Sequence, residues 1–260
     1  MTRAAARTSL NSSRLIRFLT ENDLIAASAG GEDVGQQLGD WLNFRQAIAL
    51  HSLLGNEAPP LPGPLRRAAL MRREDLAQHV HKVRSALEQS ILQGQVQGTG
   101  LSRIDMPRAE LDEPIDPKTA FEPYRRFIAA HQRQMEAVIS TLRSQVRGQL
   151  SKLPALQPLA ALDAQFENIL NDREALLLGK VAKLLEKRFV QALKQHLKQC
   201  AQEDAEAATQ TDAPTPAART TPAWLAPLRQ ELRLALLAEL DTRLQPTLGL
   251  LEAFNPETSS

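Results

Sequence analysis

His196 and Cys200 stand four residues apart in LKQHLKQC, so a helix would carry both on one face, and His79 and His81 bracket a single residue. A structural zinc takes four such ligands. Neither pair has a third ligand close by in the sequence, so each reads as an ordinary helix residue. His131 lies among apolar residues at helical spacing, where a hydrogen-bonded core histidine is the expectation. No Ser, Thr or Cys sits in a nucleophile elbow or beside a recognisable base. Gly94, Gly98 and Gly100 lack dinucleotide-binding spacing, and no Gly-Lys-Ser/Thr run is present. Asp112, Glu113, Asp116 and Glu122 fall in a Pro-rich stretch, which cannot hold a metal or an acid–base pair in fixed geometry. The reading is a protein that is not an enzyme, with no cofactor and no bound metal.

Charge is more informative. Residues 64–84 hold Arg66, Arg67, Arg72, Arg73, Lys82 and Arg84 against Glu74 and Asp75. Residues 180–198 hold Lys180, Lys183, Lys187, Arg188, Lys194 and Lys198 against Glu186 alone. The five lysines recur at steps of three, four and seven, near one helical face, where they could meet a phosphate backbone. Lys180, Lys183, Lys187, Arg188, Lys194, Lys198, Arg66, Arg67, Arg72 and Arg73 are therefore the nucleic-acid candidates. Phe189 is the lone aromatic in these segments, so reading of bases by stacking is not expected. The whole chain carries 31 basic and 30 acidic residues for a net charge of +1. With no global field, any polyanion contact must be local.

The elements that would position these residues are helices. The 260 residues are 43% hydrophobic and 23% charged, proportions that fold. One cysteine excludes an internal disulfide and suits a reducing compartment. Strand signals are nearly absent, while Leu, Ala, Gln, Arg and Glu dominate and apolar residues recur at steps of three and four. The fold class is all-α, an elongated helical bundle with long antiparallel, coiled-coil-like helices. A first helix follows Asn11 to Ser13 and ends near Ala29; a second covers 33–54, with Trp41, Leu42, Ile48 and Leu53 inward. A third spans 64–92. A fourth, capped by Thr119, runs to Leu150, where Pro154 and Pro158 end or kink the chain. The fifth, 159–200, points Leu159, Leu162, Phe166, Ile169, Leu177, Val181, Leu184 and Leu193 inward.

The organisation follows: an N-terminal helical pair (1–54), a long-helix bundle (65–200) with a mobile connector at 93–118, a flexible linker (201–222) and a C-terminal apolar helix (223–255). That last helix is the most apolar segment, with Trp224, Leu225, Leu228, Leu232, Leu236 and Leu240 on one side, and Gln245-Pro246 should kink it. It must be buried on its own bundle or on a partner, which makes those six residues the partner-interface candidates. The basic N-terminus lacks the apolar run of a signal peptide, and no window approaches a membrane span. A cytoplasmic protein is expected.

Four segments, LGDWLNFRQAIALHSLL (38–54), FEPYRRFIAAHQRQMEAVISTLRSQVRGQL (121–150), LAALDAQFENILNDREALLLGKVAKLLEKRF (159–189) and LLAELDTRLQPTLGLLEAF (236–254), resemble the proteobacterial family catalogued as domain of unknown function 3348. The likeness extends to ZorF, the accessory component of type III Zorya anti-phage defence. It implies a non-enzymatic cytosolic accessory subunit that assembles with a second accessory protein of its operon or with stator-like subunits of an ion-driven membrane motor. A homo-oligomer and contact with DNA are further expectations, and direct membrane insertion is not.

Overall fold

The computed structural model describes residues 13–22, 24, 39–55, 70–97, 103–108, 115–117, 119–207 and 224–254. The fold is all-α, built from long helices in mutual contact. The principal helices are α1 (Arg14–Glu21), α2 (Phe44–Gly55), α3 (Arg73–Gln93), α4 (Glu122–Leu150), α5 (Gln157–Ala207) and α6 (Leu225–Ala253). At 1.5 Å per residue, α5 is about 76 Å long against about 44 Å for α4.

The apolar helix α6 is the hub. It packs against α1, α3, α4 and α5. Leu225, Leu232, Leu236, Leu240, Leu244 and Leu250 are all buried, and at about 1.5–3 kcal/mol per buried leucine this helix contributes a large share of the core energy. Helices α4 and α6 run parallel: Tyr124 lines a small cleft with Leu225, and further along both helices Gln132 bonds Glu239. Helices α3 and α5 run antiparallel to α4. His79 and Ser90 of α3 bond Gln145 and Gln134, while Arg143 and Arg125 of α4 bond Asp163 and Glu186 of α5. The long-helix bundle expected from the periodicity is thus present.

Polar groups on α6 tie it to each neighbour. Asp241 accepts from Arg14 of α1 (2.6 Å) and Arg84 of α3 (2.7 Å). Glu231 pairs with Arg188 of α5, whose guanidinium also donates to the Asn22 carbonyl just past α1. Glu239 accepts from Gln132 of α4 and from Arg243, and Arg243 reaches Glu174 of α5 at 3.5 Å. Between α4 and α5, Asp163 accepts from both Arg143 (2.6 Å) and Arg147 (2.9 Å), and all three are largely buried.

Several boundaries differ from expectation for local reasons. Helix α3 starts at Arg73, nine residues later than expected, with Leu70 exposed and residues 70–72 extended into an Arg72 N-cap. Thr119 does not cap α4: its hydroxyl lies near the Asp116 carbonyl and carboxylate, and Phe121 occupies the N-cap. At α2 the start is set by a reciprocal cap, in which the Gln46 amide donates to Asn43 Oδ1 and the Asn43 amide to Gln46 Oε1. The connector at 93–118 holds a hairpin, β1 (Gln95–Gln97) and β2 (Arg103–Asp105), paired antiparallel with Val96 opposite Ile104. Its entry is Gly94, the left-handed C-cap of α3 at φ 67°, where a Cβ would come within 2.9 Å of Met106. Residues 201–207, expected as linker, continue α5. Helix α6 runs on through Pro246. Helix α1 ends at Glu21 with Asn22 as its C-cap, short of the end expected near Ala29; residues 25–38 and 56–69 and the linker from 208 to 223 lie outside the described residues.

Candidate interaction surface

The buried stripe of α5 is Leu178, Val181, Leu185, Phe189 and Leu193: Val181 and Leu193 are buried as expected, while Leu178 and Leu185 take the inward places expected of Leu177 and Leu184. Leu177, expected inward, is 48% exposed, and Leu184 is half-buried. At 100° per residue the lysines 180, 183, 187, 194 and 198 fall within about 60° of arc, on the side of α5 opposite that stripe. All five are exposed, and none makes an ion pair among the described residues. Their spacing was enough to find them, because exposure follows from which side the core takes.

The other basic candidates fare differently. Arg188 is half-buried between Glu231 and the Asn22 carbonyl, so its charge is spent inside the molecule. Arg72 bonds Asp75 at 3.0 Å, and Arg73 is exposed at the first position of α3. Arg66 and Arg67 lie outside the described residues. The structure therefore does not gather the two basic segments into one patch among the described residues; it keeps the α5 row.

The partner-interface candidates on α6 are occupied within the chain. Leu225, Leu232, Leu236 and Leu240 are core, Leu228 packs against it, and Trp224 meets Phe189 and His196 edge-on or tilted at 5.5 Å. Exposed apolar side chains are found on several helices, Leu92 of α3 and Leu234 of α6 among them. Phe44 and Ile48, one turn apart on α2, are 80% and 53% exposed, and Leu176 on α5 is 64% exposed. Ile48 was expected inward. Helix α2 packs on α5, and Trp41 just before it stacks on the Arg173 guanidinium at 5.2 Å. Ile169 is buried but stands outside the continuous core cluster.

The residues of possible chemistry are placed as structural groups. Among the described residues no three of His, Cys, Asp and Glu converge as a metal site. His196 Nε2 lies 3.6 Å from Cys200 Sγ, with neither group joined by a further ligand. His131 is fully buried on α4 with both ring nitrogens unpartnered among the described residues, its ring edge-on to Phe127, and burial pushes its pKa down to about 4. It is a neutral core histidine, though not a hydrogen-bonded one. Glu239 is held above the usual carboxylate range by burial, which outweighs Arg243 and Gln132. A cleft of about 100 Å³ opens between α4, α5 and α6, floored by Ile139, Phe166, Leu170 and Pro246; its Arg143, Glu167, Glu174 and Arg243 are engaged with other side chains of the bundle. Among the described residues no helix is long and apolar enough to cross a membrane.

The family model described as protein of unknown function (DUF3348) matches residues 1–256. No curated protein and no solved structure matches the chain.

Proposed function

Since this chain belongs to the DUF3348 family of proteins of unknown function, we propose its role from its surfaces: a non-enzymatic assembly subunit that docks partners on the outer layer formed by α2 and α5. The observation that carries the reading is the exposure of Phe44, Ile48 and Leu176 in a chain that buries Leu225, Leu232, Leu236, Leu240, Leu244 and Leu250 of its most apolar helix in its own core. Apolar side chains grouped on one packed layer are what a partner would cover. The resemblance to ZorF supports a finer version: a cytoplasmic accessory component of anti-phage defence, working with stator-like motor subunits or a second accessory protein. Affinity capture from the native host, with nuclease treatment and mass spectrometry, tests it. Neighbouring accessory or motor proteins should be recovered from nuclease-treated lysate by the natural chain and lost with the Phe44→Ser, Ile48→Ser double variant. Recovery equal for both chains would remove this surface from the account.

The unpaired lysine row supports a second reading, contact with a nucleic-acid backbone. Counterion release then makes affinity for duplex DNA fall steeply with salt, and reversing Lys183, Lys187 and Lys194 to Glu should abolish it. Unchanged affinity in that triple variant would end this reading.

A further inference from the structure

Positions 168, 172, 176, 179, 183, 187 and 194 of α5 recur at steps of four, four, three, four, four and seven, so they form one ridge along the helix. All seven are exposed. Read in order, the ridge is Asn168 and Asp172 at one end, Leu176 and Gly179 in the middle, and Lys183, Lys187 and Lys194 at the other. Asp172 and Lys183 make no ion pair among the described residues.

We propose that two copies of this chain pair antiparallel along this ridge, with Leu176 of each seated over Gly179 of the other. A two-fold axis between positions 177 and 178 brings Asp172 opposite Lys183, Leu176 opposite Gly179 and Asn168 opposite Lys187, each pairing occurring twice. That is the self-complementarity an isologous interface requires, in which the same patch serves both partners. The central pairing is a knob and a hollow: Leu176 is 64% exposed, and a Cβ built on Gly179 would have nothing within 4 Å. Glu136, exposed on α4, lines the same open trough as Asn168 and Asp172 and offers a second carboxylate to the other copy's lysines. The buried stripe from Leu178 to Leu193 faces the opposite way, so pairing leaves that core face covered, and α2 stays packed on α5 beside the ridge, where Trp41 stacks on Arg173. The charge order selects the occupant: the acidic end of the ridge has no use to a polyanion, whereas a second copy matches both ends at once. This goes beyond the docking of other proteins through Phe44 and Ile48, which lie off the ridge.

Sedimentation velocity on the full chain across a micromolar concentration series tests the pairing. The natural chain should dimerise reversibly, and Gly179→Leu, which fills only open space in the single copy, should weaken the dimer at least about tenfold without lowering the melting temperature. Asp172→Lys and Lys183→Asp should each weaken it, and the two together should restore it to within about threefold of the natural chain. A natural chain that stays monomeric throughout, a dimer indifferent to Gly179→Leu, or a charge swap that fails to restore would each overturn the proposal. Capture of host partners by a chain that is monomeric would leave the assembly role standing without this dimer.

Discussion

Along α6, side chains on successive turns face α1, α3, α4 and α5, and even its charged residues Glu231, Glu239, Asp241 and Arg243 are bonded to other groups of the bundle. Along α5, one stripe from Leu178 to Leu193 is buried while the opposite side carries five exposed lysines without an ion pair among the described residues and an exposed Leu176. The more apolar helix is therefore the interior of the molecule, and the less apolar one carries the exposed surface we propose as its working face. High apolar content identifies what must be covered; whether the cover is the same chain depends on how many neighbours the fold supplies.

The contrast predicts unequal responses to substitution. The largest effect belongs to the hub: Leu240→Ala should cost about 2–5 kcal/mol, read by denaturant unfolding, whereas Leu176→Ala on α5 should change stability by less than about 0.5 kcal/mol. Comparable losses at the two sites would erase the distinction. Next is the α4–α5 ion-pair knot. Asp163→Ala leaves Arg143 and Arg147 largely buried without that carboxylate, and about 3 kcal/mol should be lost.

A third effect is pH-dependent. His131 has a pKa near 4 in the folded chain against 6.5 when unfolded. The unfolded state therefore binds more protons between these values, so the histidine's contribution to stability is whole above pH 6.5 and is lost as pH falls toward 4. The shift corresponds to about 3 kcal/mol. Glu239, with its carboxyl raised, acts in the opposite direction: its folded form holds a proton more readily, which costs stability as pH rises through the carboxylate range. His131→Leu should flatten the acid loss and, by removing two unpartnered buried nitrogens, raise stability at neutral pH by about 1–2 kcal/mol. A histidine variant as acid-sensitive as the natural chain would contradict the burial argument. The smallest effect is on the lysine row: Lys194→Ala should leave the unfolding midpoint unchanged while altering only association.

Much of this was legible locally. The α4 face could be read directly, since Tyr124, Phe127, Ile128, His131, Met135, Leu142, Val146 and Leu150 are all buried. The α5 face was legible only in part: Ile169, Val181 and Leu193 are buried as expected, but Leu176-Leu177-Leu178 offers three adjacent leucines and only the positions of α4 and α6 choose Leu178. The lysine row needed only spacing, but Arg188 had to be removed from it by Glu231, 43 residues away. The hairpin was missed because its strands are three residues each and gain their place by packing on α3 and α4. Whether α6 packs at home was likewise a long-range question, decided by Arg14, Arg84, Gln132 and Arg188 meeting its acids.

Native-state hydrogen exchange, followed peptide by peptide in the isolated full chain, tests the central claim most directly. If α6 is the interior, its amides from Leu232 to Leu250 should exchange only through global unfolding in the isolated chain, while α2 exchanges through local opening. Rapid exchange along α6 that slows only when a partner is added would contradict this, and would make the apolar helix the docking element instead.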